Sequence, residues 1–214
     1  MIIQPGSRLL MIGDSITDAG RARPVGEGRD GLGNGYVAQI DALIQAAAPQ
    51  QRIRVINMGC SGNTVRDLAA RWQTDVLDLR PDWLSIMIGI NDVWRQFDSP
   101  LQGERHVLPD EYRRTLGAIV ERARPAIRGL VLMTPYYIEP SRSDPMRARM
   151  DEYGQIVRRT AERYDAVLVD TQAAFDEVLR HVYPAALAWD RVHPTAAGHM
   201  VIARAFLKAV GFQW

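Results

Sequence analysis

The sequence predicts an α/β fold, a three-layer α/β/α sandwich around a five-stranded parallel sheet. Three observations predict it. Short continuous apolar runs recur along the chain, amphipathic stretches separate them, and no repeat, low-complexity tract or linker-like segment breaks the alternation. Strands covered on both faces read as continuous apolar runs, and their alternation with helices is the pattern of βαβ units.

Leu9-Leu10-Met11-Ile12 reads as strand one and stops at Gly13. Val37, Ile40, Ile44 and Ala47 follow at helical spacing. Ile53 to Met58 gives strand two, and Val65, Leu68, Ala69, Trp72, Val76 and Leu79 then trace one helical stripe. Trp83 to Ile88 gives strand three; Tyr112, Leu116, Ile119, Val120 and Ala123 mark the next helix. Leu130 to Met133 and Ala166 to Val169 give strands four and five. The last helix is predicted to begin at Pro194, whose fixed φ suits a first helical position, and to bury Met200, Ala203, Leu207 and Val210. A flavodoxin-like order 2-1-3-4-5 with right-handed crossovers puts every strand's carboxyl end on one rim, where open α/β sheets place ligands.

At 214 residues and 47% hydrophobic content, residues 1–214 are expected to form one domain that buries roughly 70% of its unfolded surface. Net charge is +1, from 26 basic and 25 acidic residues, with no basic tract of the kind that binds nucleic acid. The stretch from Arg142 to Arg149 interleaves acids and reads as a solvated helix face. Residues 1–6 carry no basic segment, the run after them is too short for a signal core, and nothing approaches the roughly 20 apolar residues of a membrane span. A cytoplasmic protein without a membrane or nucleic-acid partner is expected. Cys60 is the one cysteine, which excludes an intramolecular disulfide, and it reads as a small buried residue. His106, His181 and His199 pair with no carboxylate at metal-ligand spacing, so neither metal nor cofactor is expected.

Chemistry concentrates in two blocks. Asp190-Arg191-Val192-His193-Pro194 joins a carboxylate and an imidazole, so that the carboxylate can accept from one ring nitrogen while the other faces outward as a base. Gly13-Asp14-Ser15-Ile16-Thr17 places a serine at the end of strand one. A base oriented by a carboxylate is what a serine nucleophile needs at neutral pH, and the pair of blocks suggests a serine hydrolase. Ser61-Gly62-Asn63-Thr64 follows strand two and Gly89-Ile90-Asn91-Asp92 follows strand three, so successive strand ends deliver Ser, Gly and Asn.

This constellation resembles the SGNH, or GDSL-type, hydrolase family over essentially the whole chain. The resemblance implies Ser15 as nucleophile, Asp190 and His193 as the rest of the triad, and Gly62 N–H and the Asn91 amide as oxyanion donors beside Ser15 N–H. One departure is Gly-Asp-Ser-Ile in place of Gly-Asp-Ser-Leu. Gly-Arg-Ala-Arg-Pro at 20–24, Ile90 to Arg95 and Ala188 to Pro194 are more narrowly similar to bacterial intracellular acetyl-xylooligosaccharide esterases, which implies a small acetylated carbohydrate as substrate and a homo-oligomer.

Trp94 and Trp189 adjoin catalytic positions and can offer flat faces to a sugar, and Tyr136 and Tyr137 follow strand four on the same rim. The tail Phe212-Gln213-Trp214 is expected to dock, between subunits. Gly62 and Asn91 have a plain reading as turn residues, with Thr64 and Asp67 forming a capping box. Gly26 to Gly31 matches the dinucleotide-binding glycine pattern but does not join a strand to a helix; residues 21–35 read as a loop beside the site. The rivals are a short-chain carboxylesterase, a lysophospholipase, a thioesterase and a non-catalytic binding module of the same fold.

Overall fold

The computed structural model describes residues 1–28 and 30–213. Five strands, β1 (Arg8–Gly13), β2 (Arg54–Asn57), β3 (Trp83–Met87), β4 (Gly129–Met133) and β5 (Val167–Val169), form one parallel sheet in the order β2-β1-β3-β4-β5. The helices in chain order are α1 (Ser15–Asp18), α2 (Tyr36–Ala47), α3 (Val65–Ala70), α4 (Ile90–Asp98), α5 (Pro109–Ala123), α6 (Pro145–Arg163), α7 (Thr171–Val178), α8 (Pro184–Leu187) and α9 (Ala196–Ala209). Helices α2, α7 and α9 pack together, and α3, α4, α5 and α6 form a second connected group. The central strands β1, β3 and β4 are buried along nearly their whole length, as their unbroken apolar runs require.

Register aligns the strand ends. Gly13 lies opposite Met87, so β1 and β3 end at one level; β2 ends two residues earlier, with Asn57 opposite Met11, and the chain after it stays alongside β1 through Met58 N–H to the Met11 carbonyl and Cys60 N–H to the Gly13 carbonyl. No helix of the described residues is long and apolar enough to cross a membrane.

Three local expectations are corrected. The last helix starts at Ala196, because Thr195 takes the cap position and accepts from Gly198 N–H; Pro194 lies before the cap. The stripe from Val65 to Leu79 is not one α-helix: α3 ends at Ala70, and the chain continues as a π-helical turn over Gln73–Leu77, with Asp78 N–H donating to the Gln73 carbonyl. Arg71 sits at this break. Finally, Arg147 is not solvated: its side chain is 2% exposed, paired with Asp151 at 2.9 Å and Asp176 at 2.7 Å, and donates to the Glu139 carbonyl. Interleaved charge hides this, because a buried guanidinium needs the same acids that a solvated face carries.

Candidate active site

Ser15 is the first residue of α1, directly after β1. The buried Asp14 caps the helix by accepting from Ile16 N–H at 3.0 Å. A first-turn N–H has no intrahelical acceptor, and Ser15 N–H has none elsewhere among the described residues. Its hydroxyl lies 2.9 Å from His193 Nε2.

His193 and Asp190 come from the loop between α8 and α9. Asp190 folds this loop about itself: one carboxylate oxygen accepts from Val192 N–H at 2.9 Å and His193 N–H at 2.8 Å, which aims the other at His193 Nδ1, 2.6 Å away. Burial alone would raise the Asp190 carboxyl, but the bonds from the His193 ring and from the two backbone N–H groups outweigh it and hold it below its ordinary range. Hydroxyl, imidazole and carboxylate thus form one hydrogen-bonded line, from two stretches of chain. Such a line can deprotonate the serine as it attacks and stabilise the imidazolium that results.

The loop is pinned to the end of β4. Tyr136 Oη donates to the Val192 carbonyl at 3.0 Å, Ile138 N–H donates to the Arg191 carbonyl at 3.0 Å, and Arg191 pairs with Glu139 at 2.5 Å. Tyr136 is 1% exposed and tilts against Phe175, so it is a brace behind the loop and not a sugar platform. A tyrosine after a strand reads the same in sequence for either role.

Gly62 is exposed at φ +81°, with nothing within 4 Å of a built Cβ, and its N–H has no acceptor among the described residues. Left-handed backbone of this kind favours glycine and turns an N–H outward. The capping box of Thr64 and Asp67 is also present, Thr64 N–H donating to Asp67 at 2.7 Å, so the turn is built for α3 and still leaves Gly62 N–H unused.

Asn91 is not a loop residue but lies in the first turn of α4, 3% exposed. Its amide nitrogen donates to the Asn63 carbonyl at 2.9 Å, which uses one of its two hydrogens, and Arg95 donates to its oxygen at 3.3 Å. Asp92, next along, accepts from Val65 N–H at 3.0 Å and fastens α3 to α4. Burial pushes Asp92 up to about 7, and does the same to Asp14.

Trp94 meets the site, its ring 5.9 Å from the His193 ring and tilted by 56°. Trp189 is 89% exposed. Tyr137 is half-buried and donates its N–H to Gln172. Cys60 is half-buried where full burial was expected, and its N–H donates to the Gly13 carbonyl at 3.0 Å. The loop around 21–35 is fastened to β2 and its flank: Gly26 pairs with Asn57, and Arg21 donates to the Gly59 carbonyl at 2.6 Å. His199 is buried and accepts from Tyr36 N–H; burial lowers it to about 4. Phe212 is 7% exposed against the core, so the tail docks at that residue, while Trp214 lies outside the described residues.

Known proteins resemble this chain along nearly its whole length. The model of the GDSL-like Lipase/Acylhydrolase family matches residues 11–201. An acetylxylan esterase from Geobacillus stearothermophilus is 60% identical over 215 residues, covering 100% of this chain and 98% of its own. Its crystal structure superposes with a TM-score of 0.99, over 100% of this chain and 98% of that one. Other structures of it are described as catalytic mutants, in which a serine, an aspartate and a histidine are each replaced by alanine. A structure described as an alpha/beta hydrolase enzyme from the metagenome of Lake Arreo, Spain, is 57% identical with a TM-score of 0.97, covering 99% of this chain and 98% of its own. With the family model spanning most of the chain and a relative this similar along its full length, the chain belongs to the GDSL-like lipase/acylhydrolase family.

Proposed function

We propose that this protein is a serine esterase that removes acetyl groups from acetylated xylo-oligosaccharides through an acyl-enzyme. The observation that carries the reading is the line from Ser15 Oγ through His193 to Asp190, at 2.9 and 2.6 Å, with Ser15 N–H, which has no acceptor among the described residues, at its head. Ser15 attacks the acetyl carbonyl as His193 takes its proton, and the imidazolium returns that proton to the departing sugar oxygen. Water then enters, gives a proton to His193, and attacks the acetyl carbon; the proton returns to Ser15 as acetate leaves. In both tetrahedral states the oxyanion lies against Ser15 N–H, Gly62 N–H and the free Asn91 amide hydrogen.

The substrate class is supported by the setting. The His193 and Asp190 side chains are 48% and 38% exposed, so the reacting groups stand at an open surface that a bulky oligosaccharide can approach. Trp94 supplies a ring beside His193, and the acetylxylan esterase relative points the same way. A lysophospholipase or thioesterase needs an apolar groove, whereas Arg95, Arg191 and Asn63 make this neighbourhood polar. Trp189, next to Asp190, is assigned as an outer platform. We infer a cytoplasmic homo-oligomer, as the resemblance of residues 20–24, 90–95 and 188–194 to intracellular acetyl-xylooligosaccharide esterases implies.

The test is time-resolved NMR of acetylated xylose and xylobiose with Ser15→Ala as control. Serine-dependent loss of ring acetyl groups, faster than hydrolysis of simple acetates, is expected. Equal rates on both would reduce the protein to a general short-chain carboxylesterase.

A further inference from the structure

Between the nucleophile and the oxyanion donors lies a group that the reaction as written does not use. Arg71, at the break between α3 and the π-helical turn, has a side chain only 17% exposed, and three of its hydrogen bonds reach two segments of the site, the end of β1 and the stretch after β2, while a fourth holds it to its own helical turn. Its Nη2 donates to the Gly13 carbonyl at 3.1 Å, two residues before Ser15. Its Nη1 donates to the Met58 carbonyl at 2.8 Å, at the end of β2, and to Asp75 at 2.7 Å. Its Nε donates to Asn63 Oδ1 at 2.7 Å.

Asn63 is the other half of the device. It directly follows Gly62, its side chain is held by Arg71, its N–H donates to the Cys60 carbonyl at 3.2 Å, and its own carbonyl receives the Asn91 amide at 2.9 Å. One residue therefore fixes the turn that presents Gly62 N–H and also fixes which way the Asn91 amide points. A lysine has one compact ammonium and cannot span the Gly13, Met58 and Asn63 acceptors together, whereas the planar guanidinium fork can. The location also accounts for the widened turn after Ala70, since wide turns of this kind cluster where a helix is adapted to a site.

We propose that Arg71 and Asn63 act together as positioning residues that set the oxyanion hole, by locking the strand-two loop to the strand that carries Ser15. Neither touches substrate. The inference rests on the reading of Ser15, Gly62 and Asn91 given above.

The experiment uses Asn63→Ala, Arg71→Lys and the double variant, with Ser15→Ala as reference. Each is measured for kcat and KM on para-nitrophenyl acetate, for inhibition by phenylboronic acid, and for Tm. The boron accepts the Ser15 oxygen, whose proton passes to His193, and the tetrahedral adduct occupies the oxyanion hole. Expected for Asn63→Ala is a fall in kcat of about tenfold or more with KM within about twofold, and a parallel loss of boronate affinity. The double variant should lose little more than the worse single one, as residues acting through one device do. Arg71→Lys, although it keeps the charge, should also lose kcat and boronate affinity together, and a folded Arg71→Lys that keeps both within about twofold of wild type overturns the part given to Arg71. The proposal is overturned if Asn63→Ala folds and keeps kcat and boronate affinity within about twofold of wild type, or if kcat falls while boronate affinity holds. If instead Ser15→Ala retains the activity, the reading of the site has failed, a different outcome.

Discussion

The Tyr136 hydroxyl donates to the Val192 carbonyl at 3.0 Å, so the segment after β4 holds the residue that precedes His193. Tyr136 is buried against Phe175, at 4.5 Å between ring centroids, and cannot swing away. The His193 ring is therefore positioned by core packing as well as by Asp190. Tyr136→Phe keeps the packing and leaves the Val192 carbonyl without this partner. Loss of about 1 kcal/mol of stability in urea is expected, with a drop in kcat of several-fold and little change in KM. Unchanged kcat would mean that the loop needs no such brace.

Asp190 both shapes its loop and orients the imidazole. Asp190→Asn can keep the backbone bonds from Val192 and His193, but its amide can donate to Nδ1 and favour the wrong tautomer. A fall in kcat of about a thousandfold or more is expected, with Tm nearly unchanged, by analogy with the same replacement in serine proteases. A loss below about tenfold would remove the carboxylate from the relay.

Asp92 makes stability depend on pH. Its carboxyl is pushed from 3.8 to about 7 by burial, so between those values the folded chain holds a proton that the unfolded chain has released. That contribution is full below about 3.8 and is lost as pH rises through about 7. Asp92→Asn keeps an acceptor for Val65 N–H and has no proton to lose. Its Tm should exceed that of wild type by a few degrees at about pH 8, with the gap closing as pH falls toward 4. A gap independent of pH would contradict this account.

Arg147 joins α6 to the loop after β4 and to α7. Its partners Asp151 and Asp176 are 36% and 26% exposed, so the carboxylates keep part of their hydration if it is lost. Arg147→Met should lower stability by on the order of 2 kcal/mol, below the figure for a fully buried pair, as a shift in the urea midpoint at constant m. A shift under about 0.5 kcal/mol would assign it to the solvated face that its sequence suggests.

The architecture was legible because buried parallel strands leave an unmistakable trace. Leu9 to Ile12 and Leu130 to Met133 carry no polar residue, and the strands formed there. The candidate site residues stood out because each follows a strand or lies in one short loop. What the pattern hides is direction. Nothing in Tyr136, Asn63 or Arg71 as letters says that one backs the histidine loop and the others tie two strand ends together, because those contacts join residues far apart in sequence. Pro194 misled for a similar reason: proline suits a helix start, but Thr195 beside it makes the better cap.

The most direct test is the rate of para-nitrophenyl acetate hydrolysis by Ser15→Ala, with circular dichroism to verify the fold. The account predicts a correctly folded variant whose rate falls by at least about a thousandfold, leaving only what binding and the oxyanion donors supply. A folded variant that keeps a tenth or more of the wild-type rate, roughly, would contradict it, and the chemistry would have to be sought away from Ser15.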